Sequence, residues 1–459
     1  MKLLHKITAD QFLRHGIAGA RNSGLFPFFS SHGINPFRTV GVLSASFQSS
    51  TMAISDVITN FVPYIGATNP YMFGWGDAGH MYRINTNDST VEDLATAASS
   101  QKGMLFYKGT VLYAQTTKIG QMTSPDAGSP TFGEPLFTGI NNVTHPMHEF
   151  QGTAYIGDLN NVLTWNGTTS AVSLFSFPSD TTIVDIDDDG YYVIFATTKQ
   201  TGSQKSINKI YFWDTTSLKW TKELEIYDGN LSAIHKDAKG TLLAFARNGA
   251  YAFSFGSAPQ IVIPQISGLT TSDLQPPEGA VSFYKGMLAW GGNTDIFTYG
   301  NIDPRLPNIV AAPIYTGGLV KSLIFTDILN KTYYSRSGQN LLYVTDTTFG
   351  LTNSANQYLQ FSSVDLGSPH QVHYIKVLLS QVLNSSNDQI IVELHNDKSA
   401  SSITPIVTID YTTSDTTRLH HKFPYNFQGQ YISGLINMSD SVQFKALEIW
   451  GESLPDAEI

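Results

Sequence analysis

One unit recurs through the middle of the chain, between about Asn69 and Phe349: an apolar strand, a polar turn, then a second strand ending in aromatics. Taking Tyr82, Ile119, Leu163, Tyr211, Tyr251, Phe297 and Leu342 as markers of the second strands, successive separations are 37, 44, 48, 40, 46 and 45 residues. Four-stranded propeller blades have this period. A lone hairpin cannot bury its apolar face, whereas blades stacked around an axis cover each other's faces, so the repeat predicts a closed β-propeller of about seven blades. Gly turns open several first strands, as in Tyr107-Lys108-Gly109-Thr110, Phe150-Gln151-Gly152-Thr153 and Tyr284-Lys285-Gly286-Met287. Asn248-Gly249 predicts a further hairpin with positive φ at the turn.

The period stops at Gly350. Longer alternating strands follow, at Tyr358–Val364, Gln371–Leu379, Gln389–His395, Pro405–Tyr411, Gln430–Ile436 and Val442–Trp450. They predict a C-terminal β-sandwich of jelly-roll or immunoglobulin-like type over 355–459. Before the repeat, Thr8 and Gln11 have capping-box spacing ahead of Phe12 and Leu13, which predicts a short helix. Leu25-Phe26-Pro27-Phe28-Phe29 to Phe37 is rich in aromatics, interrupted by Pro and Gly, and reads as an extended arm needing an apolar partner in its own chain or in a neighbour. The expected division is an N-terminal helix and arm over 1–65, an all-β propeller over 66–354, and the sandwich.

Composition narrows function. With 14% charged residues and a net charge of -10, the chain lacks the clustered Lys and Arg that phosphate contacts need, which argues against nucleic acid as a partner. The first 55 residues are locally basic, with Lys2, Lys6, Arg14, Arg21 and Arg38 against Asp10. The absence of cysteine removes disulfides, thiolate metal sites and cysteine nucleophiles. The N-terminal residues lack the apolar core of a signal peptide, and no apolar run approaches a membrane span.

Few motifs suggest chemistry. Asp185-Ile186-Asp187-Asp188-Asp189-Gly190 alternates carboxylates before a Gly, so Asp185, Asp187 and Asp189 are the candidate ligands for Ca²⁺, the only cofactor considered. The twelfth position of an EF-hand loop would be Ala196 rather than Glu, and an acidic hairpin turn explains the same residues. His145 with His148, and His420 with His421, lack the carboxylate and helical spacing of a metalloprotease. Asp303-Pro304-Arg305 reads as a turn with an ion pair. Ser124 to Phe132 resembles the Asp-box turn of sialidase-like propellers with one extra residue, and in that family the box is structural. No catalytic residues are assigned and no enzymatic activity is expected.

Arm, Gly/Asn/Thr-rich propeller and a C-terminal domain ending in Phe444-Lys445-Ala446-Leu447-Glu448-Ile449-Trp450 together resemble the virion structural proteins of tailed bacteriophages, of the tail nozzle and tail-tip kind. That resemblance implies a tail component made in the host cytoplasm, located in the virion, and assembled as a homo-oligomer with other tail proteins. Leu25, Phe26, Phe28, Phe29 and Phe37 would then be interface residues. Two alternatives remain open: a propeller that binds host surface glycans, stacking them on Trp75, Trp213, Trp220 or Trp290, and a glycoside hydrolase with two carboxylates facing each other across the channel.

Overall fold

The computed structural model describes residues 1–17, 28–39, 41–46, 49–65, 70–96, 102–133, 135–200, 206–237, 239–264, 269–326, 331–345, 357–396, 402–412 and 416–454. Seven antiparallel sheets follow one another along the chain, each a meander. The expected second strands become the third strands of these sheets: His80–Asn85, Lys118–Thr123, Asn161–Trp165, Ser206–Trp213, Gly249–Ser254, Asp295–Gly300 and Leu341–Thr345. The first strands of successive sheets touch one another, and the last, Val320–Thr326, returns to the first, Ile58–Ile65. Ring closure makes this a seven-bladed propeller, blades one to seven in chain order.

Local chemistry sets the hairpins. Lys108 (φ 46) with Gly109 (φ 77), Gln151 (φ 50) with Gly152 (φ 76), and Lys285 (φ 49) with Gly286 (φ 76) all lie in the left-handed region, as two-residue type I′ turns require. The Asn248-Gly249 expectation is corrected. There the turn is Arg247-Asn248, between paired Ala246 and Gly249, and none of these has positive φ. Gly249 is needed instead for packing, because a Cβ there would meet the Ile263 carbonyl oxygen at 2.6 Å. Asn248 is held by Asp228, which accepts from its side-chain amide (2.6 Å) and its backbone N–H (3.1 Å).

The boundary at residue 66 is also corrected. Ser50–Ala53 is the outer strand of blade seven, pairing with Leu341–Thr345, and Ile58–Ile65 is the first strand of blade one. The ring is therefore closed by strands from the two ends of the propeller sequence.

The C-terminal strands form one nine-stranded sheet in place of two separate sheets. Two of the expected strands merge into Tyr358–Leu379, which with His420–Ser439 forms a long bulged pair, register shifts falling between Phe361 and Val364 and between Asp365 and His370. Bulges bend strands of this length. The N-terminal segment supplies four of the nine strands. Lys2–Thr8 pairs with Gln443–Ser453, Phe28–His32 with Tyr358–Leu379, and Ile34–Asn35 with Leu43–Ala45, which itself pairs with Gln443–Ser453.

This placement changes the meaning of the arm. Phe28 is fully buried and meets Phe12 edge-on, ring centroids 5.0 Å apart, and Phe37 is buried in the same apolar cluster. That cluster runs without a break from Ile449 and Phe361 of the terminal sheet to Leu288 and Trp290 of blade six. Burying one such ring is worth about 1.5–3 kcal/mol, so Phe28 and Phe37 each find their apolar partner within their own chain. Leu25 and Phe26, and the side chain of Phe29, lie outside the described residues. The helix Ala9–His15 forms with both arms of its capping box: Thr8 Oγ1 accepts from Gln11 N–H (3.2 Å), and Gln11 Oε1 accepts from Thr8 N–H (2.7 Å).

Polar contacts complete the junction. Asp295 of blade six, fully buried, takes His32 Nδ1 at 2.6 Å and the Gly33 N–H at 3.2 Å. Ile17 N–H donates to the Val310 carbonyl at 2.8 Å, and Asn301 Nδ2 donates to the Leu13 carbonyl at 2.8 Å.

Candidate functional site: the propeller axis

The first strand of each blade lines the axis, so residues on neighbouring first strands meet although they are one repeat apart in sequence. Blades three, four and five contribute Met147–Phe150, Thr182–Asp188 and Ala233–Lys236. Their side chains build a compact charged group. His148 Nε2 lies 2.8 Å from Asp188 Oδ2, and the Lys236 ammonium lies 2.9 Å from the same oxygen and 3.6 Å from Asp187 Oδ1. His235 Nδ1 is 3.7 Å from Asp187 Oδ2, and its ring rests against Phe283 of blade six with centroids 4.9 Å apart.

The electrostatics follow from this geometry. Burial works against ionising Asp188, but the hydrogen bonds and charges of His148 and Lys236 outweigh it and hold the carboxyl well below its usual range. Burial likewise disfavours the Lys236 cation, and the Asp188 hydrogen bond with the charges of Asp187 and Asp188 reverses that and raises it. Asp187 is nine-tenths buried, and its Oδ2 has no hydrogen-bond partner.

The expected Ca²⁺ triad does not converge. Asp185 turns away to accept from the Ile234 N–H (2.8 Å), and its other oxygen accepts from its neighbour's Ile186 N–H (2.8 Å). Asp189 folds onto its own turn, taking the N–H groups of Tyr191 (2.9 Å) and Tyr192 (2.7 Å). Among the described residues, the His and carboxylate side chains whose ligand atoms fall within 4.8 Å of one another are His148, Asp187 and Asp188. Asp187 is the one member of the expected triad in that group. The signal was available in the repeat itself, since His148 and Asp188 are 40 residues apart and Asp188 and Lys236 are 48 apart, each one blade spacing.

A second feature lies where the first strands begin. A cavity of about 270 Å³ is lined by Asn60 and Trp75 of blade one, Lys102 and Thr144 just before blades two and three, and Glu278 just before blade six. Burial raises the Glu278 carboxyl to about 7, although part of its surface still faces the cavity. Asp185 is raised well above its usual value by burial first and by the charge of Glu278 second. The buried indole N–H of Trp75 has no partner.

The remaining candidates are structural. Trp213 and Trp290 are buried, and Trp220 packs against Phe177 and Tyr211, so these three belong to blade cores, whereas Trp75, also buried, borders the cavity just described. His145 is buried between the carbonyls of Gly157 (2.8 Å) and Asn141 (3.1 Å). His421 is buried with Nε2 at 3.1 Å from the Arg418 carbonyl, and His420 is exposed. Asp303 and Arg305 pair in an exposed turn, as expected (2.8 Å). The Asp-box-like segment is the turn between the third and fourth strands of blade two, with Arg83 Nη1 donating to the Pro125 carbonyl (2.8 Å) and to that of Ala127 (2.5 Å).

No protein-family model matches the chain, and no curated protein matches its sequence. Solved structures of similar shape include β-propellers. The WD40 domain of Neurospora crassa Pan2 superposes with TM-score 0.47 at 9% identity over 66% of this chain and 96% of that one. The β-propeller domain of Myceliophteria thermophila Cps50 (Swd1) gives 0.47 at 11% identity over 65% of this chain and 99% of that one. Raptor from Chaetomium thermophilum gives 0.49 at 9% identity over 66% of this chain, which spans 29% of that longer protein. The likeness concerns the fold alone.

Proposed function

We propose that this chain is a structural component of a tailed-phage virion, working through protein contacts in the tail. The observation that carries this reading is the distribution of the first 53 residues. They supply four strands to the terminal sheet and the closing strand of the propeller, so one segment ties both bodies together. A subunit under mechanical load gains from such tying, because neither body opens without stripping strands from the other. With Phe28 and Phe37 buried in their own chain, the exposed rims are offered for contacts to neighbouring subunits. Blade four offers Leu218 (97% exposed) and Tyr191 (80% exposed) on two turns at the same end of its meander. Exposed large apolar side chains at a rim are suited to protein contacts. The test is to band intact particles from the source culture on a density gradient and probe them with antibody to this chain. Co-sedimentation, with immunogold label at one end of the tail, supports the reading; antigen confined to the soluble fraction contradicts it.

One observation favours a second reading, a glycan-binding propeller with glycoside hydrolysis as its catalytic extension. The axial cavity combines Trp75, whose indole N–H is unpartnered, with Glu278, whose raised carboxyl is itself beside Asp185 in charge terms. A neutral acid next to an aromatic is chemistry that sugars use. A glycan array and a panel of chromogenic glycosides, each run on the native chain and on Glu278→Gln, test it. Binding or turnover lost in the variant supports this reading, and none in the native chain removes it.

A further inference from the structure

We propose that His148, Asp187, Asp188 and His235 form a binding site for one divalent transition-metal ion of the zinc class, joining blades three, four and five at the propeller axis. This is separate from the virion reading and stands or falls without it.

Three donors already lie within 4.8 Å of one another, so that small side-chain shifts bring them to the closer spacing of ligands around one small ion. His235, on the adjoining first strand, brings a second imidazole to 3.7 Å from the free Asp187 oxygen. That oxygen is the independent sign of a missing ligand. A carboxylate oxygen buried without a hydrogen bond is costly unless a charge supplies what the protein does not, and the nearest cationic atoms stand beyond hydrogen-bond range of it. The Lys236 ammonium, 2.9 Å from Asp188 and 3.6 Å from Asp187, shows that the two carboxylates already hold a cation between them. Two carboxylates against one ammonium leave the group a formal charge of −1 with neutral imidazoles, so a divalent ion that displaces Lys236 meets a matching charge. Two imidazole nitrogens with two carboxylate oxygens favour zinc and its neighbours over Ca²⁺, which takes oxygen ligands almost exclusively. Side chains of His148 and His235 remain 24% and 30% exposed, leaving an approach from the lumen.

The experiment uses the full chain, stripped with a chelator and titrated with Zn²⁺ by calorimetry, with Co²⁺ absorption as a second readout of a four-coordinate site. One ion per chain is expected. Asp187→Asn should weaken binding at least about tenfold, as loss of a directly bound ligand must cost no less than loss of its supporting shell. Lys236→Met should tighten binding, because it removes the competing ammonium, and this opposite sign keeps the test decisive if Asp187→Asn does not fold. Asp189→Asn, outside the group, should leave affinity unchanged. Absence of saturable binding overturns the proposal, as does an affinity that neither Asp187→Asn nor Lys236→Met moves, which would put the ion on surface histidines such as His420.

Discussion

The propeller and the terminal sheet are both antiparallel β-structure, yet they are built on opposite plans. In the propeller every hydrogen-bonded neighbour except the closing strand comes from the same short stretch of chain, and each blade repeats the plan of the last. In the terminal sheet four of nine strands come from the first 45 residues and five from beyond residue 357, so Lys6 meets Glu448 across 442 positions. Local pairing costs little loop-closure entropy, whereas the terminal sheet must bring the chain ends together before any of its contacts repay the cost. One plan makes modular blades, and the other makes a lock that depends on the blades being in place.

The strongest test of that contrast is Phe28→Ala. The ring sits in the apolar cluster shared by both bodies, so its loss should cost about 3–5 kcal/mol. Urea unfolding should show a single transition moved to lower denaturant. Two separated transitions would mean that the bodies are independent and the lock is not one. Thr8→Ala removes the Oγ1 arm of the capping box, leaves the backbone arm to Gln11, and should cost about 1 kcal/mol, read from the same curves. A loss near zero would place the helix outside the lock.

His32 with Asp295 should give a pH-dependent effect below that of the cap, since the imidazole is still 24% exposed. Burial opposes protonation of His32, but the hydrogen bond and charge of Asp295, with that of Asp273, prevail and raise it above 6.5. A raised folded pKa means that this contribution is complete below pH 6.5 and is lost as pH rises through the folded value. The stability gap between the native chain and His32→Gln should therefore be full below pH 6.5 and shrink as pH rises above it. A gap that widens would contradict the assigned charge state. Lys6→Ala should be smallest, under about 1 kcal/mol, because the Lys6 side chain is 43% exposed and its pair with Glu448 sits at the sheet edge.

The same contrast governs what could be read from the sequence. The blades were legible because apolar third strands recur every 37 to 48 residues and their Gly turns name the hairpins. Blade seven's outer strand was not, since Ser50–Ala53 is only four residues, half of them polar, and its partner is near residue 343. The aromatic arm reads as needing an apolar partner, but nothing in Phe28 or Phe37 distinguishes a neighbour's surface from the chain's own C-terminal sheet. Pro424 and Gly429 interrupt the alternation between His420 and Gln430, so the first half of a twenty-residue strand went unseen. At the axis the acidic run was legible, and its partners only through the blade spacing that separates them in sequence. Asp187 and Asp188 meet His148 and Lys236 only because ring closure sets blade beside blade.

The most direct test of the account uses the absence of native cysteine. Ala53 and Leu341 are paired across the closing strand of blade seven, the first exposed and the second half-buried. Ala53→Cys with Leu341→Cys, oxidised in dilute solution and separated without reductant, should give an intramolecular disulfide in a monomer. A disulfide-linked dimer would show that the N-terminal segment closes a neighbour's ring, and free thiols would show that it closes none.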